Sequence, residues 1–308
     1  MRESALSSPA APFDNLAPSL LEPKTPGWVD VAMPHAEPLN VGEDVAARQT
    51  EQLTLITARV PQAGEMTADE FGAAVYRTYC SLGRALTAIG QTAIRLWNYM
   101  PDPCAPLSTA LDRYMVFNQG RSAGYGAWLS DRGPFSASPA TASAVGIEGD
   151  VFVVHCLAAA EPGTSVENPR QISSWRYSSR YGPTPPSFSR ATIATISGTA
   201  QLLIGGTASI VGEDTRHVGS IAGQLDETLN NLAALIATAR SDRPSAQALS
   251  QLRDVRVYLT RRQDADFLRH TIASRCARLD RLEFVVTRLC RPELLVEIEG
   301  VADLNPPA

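Results

Sequence analysis

The sequence predicts an α+β fold made of two fused units, each a mixed β-sheet with helices packed on one face. Three observations carry that prediction. The 308 residues are 44% hydrophobic and 19% charged, an ordinary globular balance with enough apolar material for a sizeable core. The order strand–helix–strand–helix–strand–strand is read twice along the chain, the mark of an internal duplication. The stretch from Gly205 to Asn231 then joins a small-residue strand to a polar turn and a helix, with Ile221, Leu225, Leu229, Leu232 and Ile236 recurring at helical steps on one face. A strand so rich in glycine and alanine lets a ligand or another backbone come close, so this stretch is read as the floor of a site framed by the rest of the chain.

Residues 1–45 are rich in Pro, Ala and Ser with weak periodicity, and are expected to form an irregular N-terminal arm. Residues 46–190 form the first unit. Gln52 to Val60 alternates like a strand. Thr67-Ala-Asp-Glu70 reads as a capping box, and the helix behind it buries Phe71, Val75, Tyr79, Leu82 and Leu86 before Gly90 ends it. Ala93 to Tyr99 is a strand, with Ile94, Leu96 and Asn98 on one side and Arg95, Trp97 and Tyr99 on the other. Leu107 to Gln119 reads as a second helix with Leu111, Tyr114 and Met115 toward the core. Ala140–Ile147 and Val151–Ala159 are expected to pair as a hairpin around Glu148-Gly149-Asp150. Glu161 to Arg190 is a connection of a length that is usually functional or disordered; its tryptophan, two tyrosines and four arginines argue for function.

Residues 191–308 form the second unit. Strands run from Ala191 to Gly212, a helix covers about 220–240, and a linker follows from Ser241 to Ser250. Asp254 to Thr260 is a strand, about 263–276 a helix, and Leu282–Leu289 and Leu294–Val301 the last two strands.

Composition excludes several functions. A net charge of −5 argues against a general nucleic-acid binder, although local arginines leave room for a small anionic substrate. No stretch approaches the roughly 18 apolar residues of a membrane span, and the first residues lack the apolar core of a signal peptide, so a cytoplasmic protein is expected. Cys80, Cys104, Cys156, Cys276 and Cys290 are odd in number and form no CxxC pair, which fits reduced thiols. His155, His217 and His270 share no spacing, so neither a metal site nor a cofactor is expected.

Longer motifs point to a family. Gln224-Leu-Asp-Glu-Thr228-Leu229-Asn-Asn231, Asp254-Val-Arg-Val-Tyr-Leu259 and Val296-Glu-Ile-Glu299-Gly-Val-Ala302 resemble the YjgF/RidA fold, with Ser220 where that fold usually has Asp. The arginine that RidA-like deaminases carry before their EIE motif is off register here, where the chain reads Arg281-Leu282-Glu283. Val166-Glu-Asn-Pro-Arg-Gln171, Trp175-Arg-Tyr177, Tyr181-Gly-Pro183, Ser187-Phe-Ser-Arg190-Ala191, Gly206-Thr-Ala-Ser-Ile-Val-Gly212 and Cys290-Arg-Pro-Glu-Leu-Leu-Val-Glu-Ile-Glu299 resemble the chorismatases, in the right order over about residues 50–303.

That resemblance implies two fused YjgF-like units acting on chorismate, with Glu297 as the acid that protonates the terminal methylene of the enolpyruvyl ether. A carboxylic acid flanked by Leu294, Leu295, Val296 and Ile298 suits the task, because burial keeps such a group protonated. By motif position Gly206 and Cys290 match the aromatising branch, which implies pyruvate and 3-hydroxybenzoate, with 4-hydroxybenzoate as a co-product to test for; Ala and Val would match the hydrolytic branch. The substrate's two carboxylates call for planar cationic donors, for which Arg121, Arg170 and Arg176 are candidates, with Tyr177 and Tyr181 donating hydroxyls and covering the ring. A RidA-like imine deaminase and a non-catalytic small-molecule binder are the competing readings. A monomer with one internal cleft and a trimer both fit a fused pair of YjgF-like units.

Overall fold

The computed structural model describes residues 16–17, 23–129 and 140–304. The chain enters as a two-residue strand, β1 (Leu16–Ala17), and a short helix, α1 (Gly27–Ala32). The first unit continues through β2 (Glu37–Leu39), β3 (Val45–Gln49), β4 (Leu53–Pro61), α2 (Ala68–Ile89), β5 (Thr92–Pro101), α3 (Arg113–Leu129), β6 (Thr141–Ile147) and β7 (Val151–Ala159). The second runs through β8 (Thr164–Val166), β9 (Ala191–Ile196), β10 (Thr199–Ala208), β11 (Ile210–Val211), β12 (Asp214–Thr215), α4 (Ile221–Arg240), β13 (Leu252–Leu259), α5 (Ala265–Arg275), β14 (Arg281–Val286) and β15 (Val296–Asp303).

The expected duplication is present in the sheet order. The first sheet reads β2-β3-β4-β7-β5-β6 and the second β1-β14-β13-β15-β10-β9-β8. Within them β3-β4-β7-β5-β6 matches β9-β10-β15-β13-β14, with one parallel pair in each set, β5–β6 and β13–β14. The two sheets face each other across an apolar layer that includes Trp97, Tyr99, Leu203, Tyr258 and Val301. Helices α2 and α3 cover the outside of the first sheet through Phe71, Tyr79 and Phe117, and α4 and α5 cover the second through Leu225, Leu232 and Leu268. Each sheet thus carries its helices on one face, and the inner faces meet.

Local signals produced local structure. Thr67 and Glu70 form the capping box, with Thr67 N bonded to Glu70 Oε2 at 2.9 Å, and Gly90 closes α2 in the left-handed region at φ +65°. Ser220 caps α4 by accepting from Gly223 N at 3.2 Å.

Three expectations are corrected. β6 and β7 are not a hairpin: β5 lies between them, antiparallel to β7 and parallel to β6. The intervening α3 is the crossover that a parallel pair requires. The second helix is α3 at Arg113–Leu129 and not Leu107–Gln119, because Asp112 accepts from Met115 N at 2.7 Å and starts it late. Gly120 then carries it against α2, where a Cβ would lie 2.5 Å from the Gly72 carbonyl oxygen. The arm is not irregular throughout: residues 23–45 contain α1, β2 and the start of β3, and Trp28, Val29 and Met33 are buried between the sheets. Residues 1–15 and 18–22 of the arm lie outside the described residues. No helix among the described residues is long and apolar enough to cross a membrane.

Candidate active site

The site is built on an irregularity between β10 and β15. Their register shifts between Ile204 and Thr207, so Gly205 and Gly206 bulge out of the ladder. Glu297 of β15 fills the space that the bulge opens. A Cβ on Gly206 would overlap the Glu297 carboxyl and come within 2.7 Å of its Cδ, so the bulge and the absence of a side chain are both needed for this placement. Glu297 and Glu299, two residues apart, share the inner face of the strand.

A cavity of about 180 Å³ opens in front of Glu297. α3 supplies Tyr114 and Arg121 to its wall, the 161–190 connection supplies Tyr177, Tyr181 and Arg190, and the turn before β15 supplies Cys290 and Arg291. Glu297 is 5% exposed. Burial pushes its carboxyl up from the ordinary 4.5 to about 8, the neighbouring Glu299 charge adds to this, and Arg95, Arg190 and Arg291 oppose it. The acid is therefore protonated at neutral pH and aimed at a cavity.

The cavity's cations are unusual in their pairing. Arg121 is fully buried in α3; it donates to Asn118 Oδ1 at 2.7 Å and lies over the Phe117 ring at 4.6 Å. Arg190 donates to Tyr177 Oη at 2.7 Å and to the Ile172 carbonyl oxygen at 2.9 Å. Arg291 donates to the Glu213 carbonyl oxygen at 2.8 Å and Thr215 Oγ1 at 3.1 Å, and stacks on Tyr181 at 3.8 Å. No carboxylate among the described residues makes an ion pair with any of the three, whereas Arg95, Arg170, Arg256 and Arg281 all have one. A buried cation without an anion is costly, so three around one cavity mark a site that an anionic ligand completes. The two acidic side chains on the wall besides Glu297 are engaged: Asp112 caps α3, and Glu293 accepts from Thr215 Oγ1 at 2.9 Å.

Of the residues singled out in the sequence, Glu297, Arg121, Tyr177, Tyr181, Gly206 and Cys290 come together here. Arg170 and Arg176 do not. Arg170 pairs with Glu227 and donates to Asn231 Oδ1 at 2.8 Å, tying the connection to α4, and Arg176 is exposed outside the cavity. Their places are taken by Arg190 and Arg291, which sequence reasoning passed over although both lie inside the quoted Ser187–Ala191 and Cys290–Glu299 motifs. Burial pushes the Cys290 thiol far above its ordinary range, so it shapes the wall and is no thiolate nucleophile. All five cysteines are free, and the described residues contain no cluster of three metal-ligating side chains.

Known proteins resemble this chain over most of its length. A family model described as chorismatase FkbO/Hyg5-like, N-terminal, matches residues 35–158. A chorismatase from Streptomyces rapamycinicus is 34% identical over 266 residues, spanning 84% of this chain and 77% of that protein. The chain belongs to the chorismatase family. A further similar protein is a 3-hydroxybenzoate synthase from Streptomyces hygroscopicus, 28% identical over 93% of this chain and 84% of its own length. A crystal structure of chorismatase superposes with a TM-score of 0.74 and 27% identity, covering 86% of this chain and 80% of the other. The architecture of this chorismatase-family chain is the expected α+β pair of fused units, each a mixed sheet with helices on one face.

Proposed function

We propose that the protein cleaves the enolpyruvyl ether of chorismate to pyruvate and 3-hydroxybenzoate, with Glu297 as general acid. The observation that carries this reading is a buried, protonated carboxylic acid facing a cavity walled by three arginines that lack carboxylate partners. Chorismate brings two carboxylates to such cations, and bidentate Arg–carboxylate pairs fix orientation as well as affinity.

Glu297 donates its proton to the terminal methylene carbon, which places positive charge on the ether carbon and its oxygen. The bond between that oxygen and the ring then breaks, and its electron pair becomes the carbonyl of departing pyruvate. The adjacent ring hydroxyl attacks the vacated ring carbon and releases its proton. Opening of the resulting three-membered ring and loss of a ring proton restore aromaticity; of the two protons released, one ends on the phenol oxygen and the other returns to Glu297. No water is consumed, in contrast to the hydrolytic branch.

Gly206 and Cys290 support the aromatising branch. Gly206 touches the acid itself, so an added methyl would displace the Glu297 carboxyl and alter the space beside the ether. A RidA-like deaminase fits less well, because Arg281 pairs with Asp254 at 2.6 Å outside the cavity.

The test is incubation with chorismate and chromatography of every product against standards. Pyruvate with 3-hydroxybenzoate is expected, and the same traces read any 4-hydroxybenzoate. Gly206→Ala combined with Cys290→Val is expected to divert product toward the dihydroxycyclohexadiene acid. A double variant that still makes only hydroxybenzoate removes these two positions as the branch-setting pair, and an inert folded protein removes the whole reading.

A further inference from the structure

Glu299 is not part of the cavity wall, yet it is the most heavily coordinated carboxylate between the two sheets. Its Oε2 pairs with Arg95 Nη2 at 2.6 Å and accepts from Ser143 Oγ. Its Oε1 accepts from Trp97 Nε1 at 3.0 Å and Tyr258 Oη at 3.0 Å. Three of these four donors come from the first unit, on β5 and β6, whereas Glu299 belongs to the last strand of the second. Arg95 is fixed in turn: it donates to the carbonyl oxygen of Leu96 and to Ser143 Oγ at 2.5 Å, and lies over Trp97 at 4.8 Å. Both side chains of the pair are 2% exposed.

Stability gives a poor reason for this arrangement. Taking two ions out of water costs several kcal/mol per ion, and well-packed apolar replacements of buried pairs are often neutral or stabilising. The surrounding layer is apolar and would accept them. What an apolar pair could not supply is a fixed negative charge two residues along the strand from Glu297, on the same face.

We propose that the Glu299–Arg95 pair is the positioning device for Glu297: it locks β15 against the first unit and holds a negative charge that keeps the proton on the acid. This rests on Glu297 being the general acid. The other groups that face Glu297 are the cations Arg190 and Arg291, Tyr258 opposite it on β13 and, from α3 and the turn before β15, Tyr114 and Cys290, the last three kept neutral by burial. Asp112, Glu293 and Arg121 stand elsewhere on the cavity wall. Among these, Glu299 is the closest negative charge along the strand, and Arg95 is the cation that holds it.

The sign of the effect is fixed by geometry. Glu299→Gln removes a negative charge near Glu297 and leaves the Arg95 cation unopposed, and both changes favour ionised Glu297. The alkaline limb of kcat/KM for pyruvate release, which reports the free enzyme's acid, is expected to move at least one unit to lower pH. Activity is then within a few-fold of the native protein on the acid side and lost progressively above neutrality. A uniform loss at every pH with an unmoved limb overturns the proposal and leaves a purely structural pair. If Glu299→Gln does not fold, the neutral double variant Arg95→Met with Glu299→Leu takes its place. It is expected to shift the limb in the same direction by less, since a cation leaves together with the anion, and an unmoved limb again overturns the proposal. Glu297→Gln is measured alongside. If it still releases pyruvate, the acid assignment has failed; if it is inactive while the Glu299 variants titrate like the native protein, only the positioning device has failed.

Discussion

The duplicated fold makes two clefts, and they have met opposite fates. In the second unit Tyr258 stands opposite Glu297 and Arg256 opposite Glu299 across β13 and β15. In the first unit the matching pairs across β5 and β7 are Tyr99 with Val153 and Trp97 with His155. The two tyrosines meet at the centre of the molecule with hydroxyls 3.4 Å apart. The counterpart of the acid is therefore a valine, and the counterpart of Glu299 is His155, which burial pushes down to about 4 and so keeps neutral. The cleft in front of them, bounded by β14, is occupied by the chain's own arm. The Pro23 carbonyl oxygen lies 3.1 Å from His155 Nε2, the Lys24 carbonyl accepts from Tyr99 and Arg256, and Gly27 N donates to Glu283 Oε1 at 2.9 Å. One cleft kept a buried acid and its opening; the other lost the acid and became core. Chemistry follows the site and not the fold.

The sharpest way to break this comparison is to make the open cleft resemble the closed one at its acid. Glu297→Gln is expected to lower pyruvate release by a thousand-fold or more while chorismate still binds. Stability supplies a second readout with a definite sign. Because the folded carboxyl is raised from 4.5 to about 8, the unfolded chain releases this proton first as pH rises. The native protein should therefore lose stability between these values, and Glu297→Gln should not. At pH 9 the variant is expected to be more stable by a few kcal/mol, at roughly 1.4 kcal/mol per unit, read from denaturant midpoints across pH. Equal curves would mean that the acid is not desolvated.

Next in size is the arm. Trp28 is buried against Trp97, with ring centroids 5.9 Å apart. Trp28→Ala is expected to cost about 3–5 kcal/mol of unfolding free energy, with the same products from whatever protein remains folded. A loss of activity without loss of stability would show that the filled cleft takes part in catalysis after all.

Arg121 tests the open cleft from its cationic side. Arg121→Met removes a buried charge that lacks a carboxylate partner, so the free protein should be no less stable. Without a charge-assisted contact worth about 1.5–3 kcal/mol, KM for chorismate should rise about 10- to 100-fold. A destabilised variant with normal KM would make Arg121 a structural residue.

How much of this was legible depended on range. The capping box at Thr67, the apolar face of the Ile221–Arg240 helix and the strand at Leu53–Pro61 all follow from residues within one or two turns of each other, and periodicity reads them directly. The twofold order of elements gave the duplication. The false hairpin shows where that logic stops: β6 and β7 adjoin in sequence, but a strand formed forty residues earlier separates them. The arm misled because its large buried apolar side chains, Trp28, Val29 and Met33, are too few to outweigh its Pro, Ala and Ser, and its backbone contacts to distant residues leave no local pattern. Arg95 and Trp97 were placed on the correct strand face, yet their partner Glu299 is more than two hundred residues away, and nothing local announces it. Glu297, Gly206 and Cys290 were found through motif resemblance, since alternation alone makes Glu297 an ordinary strand residue.

The arginines of the long connection are the finest test, because sequence singled out Arg170 and passed over Arg190, and the structure reverses the two. An irregular segment has no period, so nothing in its spacing tells which side chains face inward. Arg190 ends the segment where it joins β9 and turns into the cavity, while Arg170 is held outward by Glu227 and Asn231 of α4. Arg170 is 36% exposed in its side chain, and a partly solvated ion pair of this kind contributes up to about 1 kcal/mol. Arg170→Met is therefore expected to change KM for chorismate by less than about three-fold, with a stability loss near that small figure. Arg190→Met, measured beside it, should raise KM by far more, because it removes a cavity cation and frees the Tyr177 hydroxyl it holds. Equal effects from the two would mean that the connection acts only as a tether, and that its arginines do not distinguish the inside of the cleft from the outside.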